Sequence, residues 1–274
     1  MMMYVTKADG SKQPFDESKL ERSLRGSGAS PETVGKVLEH LKVELTPGMT
    51  TSELYKHAFF LLHKFQKNAA ITYSLRRAIM DLGPTGFPFE KYIARVFQEN
   101  GYTTLTGQTV KGGCVEHEVD VVAWNDQKLI MTEAKFHNHL GVKTDLKVAL
   151  YVKARFDDLR ENTFFYGHRR PVDESWLITN TKFTTTAIEY GMCKGLTMYS
   201  WNFPAKGNLR DMIEDKNLHP ITCLASLSRA HTAQLINQGV VLCKELAGHD
   251  SALKNLGLSA EARQHVMEEI SALL

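Results

Sequence analysis

The stretch HEVDVVAWNDQKLIMTEAKF, His117–Phe136, sets two acids and a lysine among residues of the kind that build buried strands. Val119, Val121, Val122 and Trp124 are β-branched or aromatic and predict one strand, and Leu129–Thr132 predict a second. Asn125-Asp126-Gln127-Lys128 are turn residues. A hairpin centred on Asp126 and Gln127, with a loop of two or four residues, puts Trp124 opposite Leu129 and Asp120 opposite Glu133. Strand side chains alternate, so Glu133 and Lys135 share a face. Like charges opposed across a sheet destabilise it. A hard divalent cation such as Mg²⁺ would offset the repulsion by taking carboxylate oxygens. Lys135 would then hold an anionic substrate or position a water, which is the chemistry of metal-assisted phosphodiester hydrolysis. The spacing also fits a solvated strand end, where Lys135 neutralises one acid and nothing reacts.

The chain around this hairpin has 274 residues, 43% of them apolar, enough for two or three domains with real cores. A net charge of +2 excludes a grossly basic protein, so nucleic-acid binding has to come from a local patch. One such patch runs from Lys135 to Arg170. There Lys135, Lys143, Lys147, Lys153, Arg155, Arg160, Arg169 and Arg170 face four acids, for a net charge of +4. DNA phosphates favour such a patch, and Lys143 and Lys147 are the contacts expected. Cys114, Cys193, Cys223 and Cys243 are scattered, without C-x-x-C, which fits a reducing cytoplasm and gives no zinc site or disulfide framework. The start, MMMYVTKADGSK, has no apolar core of a signal peptide, and no window approaches the roughly 18–20 apolar residues of a membrane span. A cytoplasmic protein with no membrane partner is expected.

DLGPTGFPF (Asp81–Phe89) and NFPAKGN (Asn202–Asn208) punctuate the chain, giving three expected units at 1–84, 85–204 and 205–274. In the first, YVTKADGSKQPF reads as a hairpin turning at Asp9-Gly10. Asp16 and Ser30 are helix caps, Pro31 suits a first helical position, and Thr50 with Glu53 makes a capping box. A last helix ends near Gly83. On VTKADGS, SKL, TTSEL and YSLRR, the first 83 or so residues resemble the ATP-cone, a regulatory nucleotide-binding domain. The resemblance implies that ATP or dATP lies along Val5 and Lys7, that Lys19 meets its phosphates, and that Thr51 and Arg77 close the site. Ala8 stands where that family usually has a basic residue. No P-loop motif occurs, so nucleotide would be sensed by binding rather than hydrolysed.

In the second unit Phe89, Ile93, Val96 and Phe97 form one apolar helical face, with Glu90 beside it near the helix start. After the hairpin, TDLKVALYVKARFDDLR reads as a helix capped by Thr144. ESWLITNTKFTTTAIEYGMCKGLTMYSWNF reads as strand, turn, helix, strand. The order α-β-β-α-β-α-β implies a mixed sheet flanked by helices, an α/β (α+β) architecture. On FEKYIARVFQENGY, EVDVVAW, TEAKF and WLITNTKFTTTAIEYG, residues Phe87 to Phe203 resemble the PD-(D/E)XK nucleases, closest to the Mrr-like restriction endonuclease group. The resemblance implies Mg²⁺ or Mn²⁺ held by Asp120, Glu133 and the Ala134 carbonyl. Lys135 would orient the water or stabilise the phosphorane, and Glu90 would complete the acidic cluster. VEHEVD replaces that family's glycine-rich approach, and Glu118, on the Asp120 face, is a secondary ligand candidate. His137-Asn138-His139 spells the name of another nuclease class, but adjacent histidines do not make its ββα-metal site.

The tail from Ile221 reads as four or five short helices. Its NQG and LGLS hinges resemble helix-hairpin-helix modules, which implies phosphate contacts at Gly239, Gly257 and Ser259. A plain helical packing or dimerisation unit is the other reading. Together these features lead to the expectation of a nucleotide-regulated, Mg²⁺-dependent DNA endonuclease of defence or repair type. One active site per chain favours a dimer for two-strand cleavage. The rival is a nucleotide-sensing, DNA-binding regulator with an idle nuclease fold.

Overall fold

The computed structural model describes residues 3–6, 10–139, 141–248 and 250–274, and two units part between Arg76 and Arg77. In the first, β1 (Tyr4–Thr6) and β2 (Lys12–Pro14) pair antiparallel. The helices α1 (Glu17–Gly26), α2 (Pro31–Glu44), α3 (Thr51–Phe65) and α4 (Lys67–Met80) follow. α1, α2 and α3 start where side-chain oxygens meet otherwise unpaired N–H groups. Asp16 accepts from the Lys19 N–H, Ser30 from Thr33, and Thr50 and Glu53 form the expected capping box. Leu24, Val37 and Leu62 are fully buried in the shared core of α1, α2 and α3. Lys7, Ala8 and Asp9, where the hairpin turn is expected, lie outside the described residues.

The second unit begins with α5 (Phe87–Glu99), β3 (Thr103–Lys111), β4 (Glu116–Trp124), β5 (Leu129–Lys135) and β6 (Lys143–Thr144). It continues through α6 (Leu146–Arg160), β7 (Phe164–Tyr166), β8 (His168–Arg170), β9 (Glu174–Thr179), β10 (Lys182–Phe183), α7 (Thr185–Cys193) and β11 (Thr197–Tyr199). Five strands form one sheet in the order β11-β9-β5-β4-β3. The β3, β4 and β5 neighbours run antiparallel, while β5-β9 and β9-β11 run parallel. This is the mixed α/β architecture that the element order predicts. The expected α5 face, Phe89, Ile93, Val96 and Phe97, is buried, each such side chain contributing roughly 1.5–3 kcal/mol. Val152, Phe156 and Leu159 of α6 pack with Val122, Met131 and Leu177 in a continuous core.

Three details differ from expectation. β3 is absent from the predicted order. Its threonines and Gln108 leave most of it exposed, so no apolar alternation announces it. The β7-β8 hairpin is a second addition. The cap of α6 is Asp145, which accepts from the Val148 N–H at 3.3 Å. Thr144 is instead buried on β6, where its hydroxyl lies 2.8 Å from His137 Nε2 and 3.2 Å from Thr179 Oγ1.

The tail comprises α8 (Leu209–Glu214), a 3₁₀ turn at Ile221–Cys223, α9 (Arg229–Asn237), α10 (Cys243–Leu246), α11 (Asp250–Lys254) and α12 (Ala260–Ser271). It belongs to the same unit as the sheet. The Tyr92 hydroxyl of α5 donates to the Leu218 carbonyl at 2.7 Å, and Arg95 pairs with Glu245 at 2.7 Å. No helix among the described residues is long and apolar enough to cross a membrane.

Candidate active site

The hairpin holds the register that its turn dictates. Asn125 Oδ1 accepts from the N–H groups of Gln127 and Lys128, each at 2.9 Å, and Trp124 lies opposite Leu129. The ladder ends at Val121 opposite Thr132, one pair short of Asp120 and Glu133. Here a side chain replaces the backbone, and the Ala134 N–H donates to Asp120 Oδ2 at 2.7 Å. Burial first, and then the Glu133 and Glu90 charges, push the Asp120 carboxyl up to about 7, against the pull of the Ala134 N–H and Arg155. Glu90 is also raised, by burial and then by Glu118 and Glu133. Acids of α5, β4 and β5 therefore oppose the ionisation of Asp120 and Glu90, a condition met often at functional sites.

One face of α6 answers part of that charge. Tyr151 donates its hydroxyl to Glu133 Oε1, and Arg155 donates Nη1–H to Glu133 Oε2. Arg155 also donates to the Glu118 carbonyl at 2.9 Å and to the Tyr151 oxygen at 3.1 Å, and its guanidinium lies 4.8 Å from the Tyr151 ring centroid. Sequence reasoning counted Arg155 only as a patch charge and passed over Tyr151. The signal available was their i, i+4 spacing, continued back to Lys147, which lays all three along one helix face. Among the described residues, no group of three or more His, Cys, Asp or Glu is gathered to hold a metal. The expected donors are two carboxylates and a carbonyl. Asp120 and Glu133 fit a hard cation in donor type and in their mutual repulsion.

Lys135 lies one strand period beyond Glu133 and opposite Thr179 of β9. Its charge helps depress the His137 imidazole, after burial as the larger cause. The backbone just past it is clamped. Asn180, fully buried, accepts from the His137 N–H at 2.8 Å and donates to the His137 carbonyl at 2.9 Å. The TNTKF segment singled out in the sequence thus fixes the exit of the strand that carries Lys135.

Another carboxylate holds the turn between β3 and β4. Asp158 of α6 accepts from the Cys114 N–H at 2.7 Å, the Val115 N–H at 3.3 Å and His117 Nε2 at 2.7 Å. Hydrogen bonding, led by His117, pulls its carboxyl down to about 2. A Cβ on Gly112 would sit 2.0 Å from Asp158 Oδ2 and 2.8 Å from the Val115 carbonyl, so this turn admits no side chain there.

The remaining expected residues are dispersed. Lys143 and Lys147 are exposed. Arg170 is not available to DNA as expected, because it is buried and donates to the Asn125 carbonyl. The hairpin amides expected to meet phosphate are already used, Gly239 donating to Ile236 and Gly257 to Lys254, each at 3.0 Å, to end their helices. Ser259 caps α12 through the Ala262 N–H. In the first unit the Val5 side chain is buried, so only its backbone could line a nucleotide. Thr51 lies beside the bridge that pairs Thr6 with Thr50, which brings the start of α3 to β1. Lys19 is exposed, 3.7 Å from Asp16. Arg77 belongs to the other unit and lies 3.4 Å from Asp81. Lys7 is outside the described residues.

Fold and site define a mixed α/β protein with a charged cluster at one end of its central hairpin and a helical tail. Residues 219–274 match the family described as AF1548-like, C-terminal. A protein of Archaeoglobus fulgidus, described only as uncharacterized, is 36% identical over 183 residues, covering 66% of this chain and 99% of that protein. The crystal structure of a protein described as of unknown function, AF1548, covers 68% of this chain and 97% of its own, at 34% identity and a TM-score of 0.57. The chain belongs to the AF1548-like family.

Proposed function

We propose that the protein is a divalent-cation-dependent DNA endonuclease whose second unit hydrolyses phosphodiesters and whose first unit binds an adenine nucleotide, ATP or dATP, as a regulator. The observation that carries the reading is the opposition of Asp120 and Glu133 just past the end of their ladder, with Lys135 one period on. A merely structural hairpin gains nothing from keeping an aspartate whose ionisation the facing glutamate opposes. Asp120, Glu133 and the Ala134 carbonyl would hold Mg²⁺ or Mn²⁺, which when bound supplies positive charge to the phosphodiester oxygens. Lys135 would stabilise the charge that develops on phosphorus-bound oxygen. Glu90, kept easier to protonate by its surroundings, is suited to exchange a proton with an ordered water. The exposed Lys143 and Lys147 would meet DNA backbone. Val5, Lys7, Lys19 and Thr51 are the residues of the first unit proposed to serve the nucleotide.

A second reading has its own support. Tyr151 and Arg155 occupy both oxygens of Glu133, as they would in a regulator that binds DNA and nucleotide without hydrolysis. Plasmid nicking with Mg²⁺ separates the two. The endonuclease reading expects nicking by the parent, and its loss in both Asp120→Ala and Lys135→Ala. Nicking that survives both substitutions, or a parent inert under every cation and nucleotide tried, rejects it. Calorimetry with ATP and dATP tests the regulatory half, which fails if neither gives binding heat at millimolar nucleotide.

A further inference from the structure

The carboxylate that the proposed site would offer a cation is already held by the protein. Tyr151 takes one Glu133 oxygen and Arg155 the other, with the ion pair shielded: the Glu133 side chain is 10% exposed and that of Arg155 is 18% exposed. Arg155 has a separate anchor on the Glu118 carbonyl at 2.9 Å, which does not depend on Glu133. A guanidinium and a divalent cation compete for the same lone pairs, so each weakens the other's hold by the same factor. A planar guanidinium also matches two phosphate oxygens as well as it matches a carboxylate.

Resting on the cation-site reading above, we propose that Tyr151 and Arg155 form a latch that stands in for the cation at Glu133. The latch keeps the carboxylate aimed while no cation is bound. It gives the carboxylate up when a divalent cation binds, and leaves Arg155, still anchored on Glu118, to receive the scissile phosphate. Arg155 is thus a positioning residue in one state and a substrate contact in the other.

The test is calorimetric titration of Mn²⁺ into the full chain and into Tyr151→Phe, Arg155→Met and Lys147→Met. Arg155→Met is expected to bind Mn²⁺ about tenfold more tightly than the parent, and Tyr151→Phe severalfold more tightly. Tyr151→Phe is decisive because it removes a donor without changing charge, and it decides alone if Arg155→Met does not fold. Lys147→Met, which removes a charge one turn away, is expected to change affinity by less than about twofold. At saturating Mn²⁺, nicking by Arg155→Met is expected to fall about 10²-fold despite the tighter cation. Equal or weaker Mn²⁺ binding by the two latch variants overturns the latch and leaves the cation site standing. So does an equal gain in Lys147→Met, since ordinary charge removal then accounts for the change. A parent and variants that all take up no Mn²⁺ overturn the latch and the cation-site reading together.

Discussion

Asp120 and Asp158 are both aspartates that accept backbone N–H bonds, and α6 reaches both neighbourhoods, yet their protons behave in opposite ways. Asp158 sits in a turn shaped to its carboxylate, with two amides and an imidazole on its oxygens, and its proton is lost more easily than usual. Asp120 has one amide and two hostile carboxylates, and it holds its proton more tightly than usual. A satisfied carboxylate is an architectural part. A carboxylate left in electrostatic conflict is one that the proposed cation would relieve. The two differ by how many donors the fold supplies, not by burial alone.

The largest expected effect is on nicking. Asp120→Ala is expected to cost about 10³-fold, and Asp158→Ala less than about tenfold under conditions where both are folded. Comparable losses would erase the distinction. Stability should show the reverse order. Gly112→Ala forces a Cβ against Asp158 and the Val115 carbonyl, and is expected to destabilise by about 1–3 kcal/mol in thermal melts. Asp158→Ala should lower Tm by several degrees, and the double variant should lose less than the sum, because both changes break one turn. Additive losses would mean that the glycine and the aspartate act separately.

Asp120→Asn should do the opposite and raise Tm at pH 8 by about 2–4 °C, the shift expected from relief of roughly 1 kcal/mol of repulsion. An unchanged or lower Tm would show that the repulsion is already neutralised. The smallest effect is in the pH profile. Because the folded-state pKa of Asp158 is lowered to about 2, its contribution is complete above the ordinary carboxylate pKa of about 4 and is lost as pH falls towards 2. Asp120 is raised, so its protonated form favours folding most below about pH 4, and that advantage is lost as pH rises through about 7. Asp120→Asn should flatten the slope between pH 4 and 7, and Asp158→Asn the slope below pH 4, in Tm measured across that range.

Local chemistry was legible in the sequence. Asp16, Ser30, Thr50 and Glu53 cap helices where their spacing says they should, and Asn125 sets a register that runs to Val121 opposite Thr132, one pair short of the acids. What lay hidden depends on residues far apart in the chain. Arg155 meets Glu133 across 22 positions and His117 meets Asp158 across 41, and no local propensity encodes such pairs. Asp145 displaced Thr144 as a cap because the threonine hydroxyl had a buried partner on β9. β3 escaped notice because a strand lacking an alternating apolar face has little pattern to read beyond its threonines.

The Asn180 side chain bonds both the N–H and the carbonyl of His137, much as a neighbouring strand would. The end of β5 is therefore held by an amide that lies 43 positions further along the chain. A change at Asn180 alone would loosen the backbone that follows Lys135 without altering a single residue of β5.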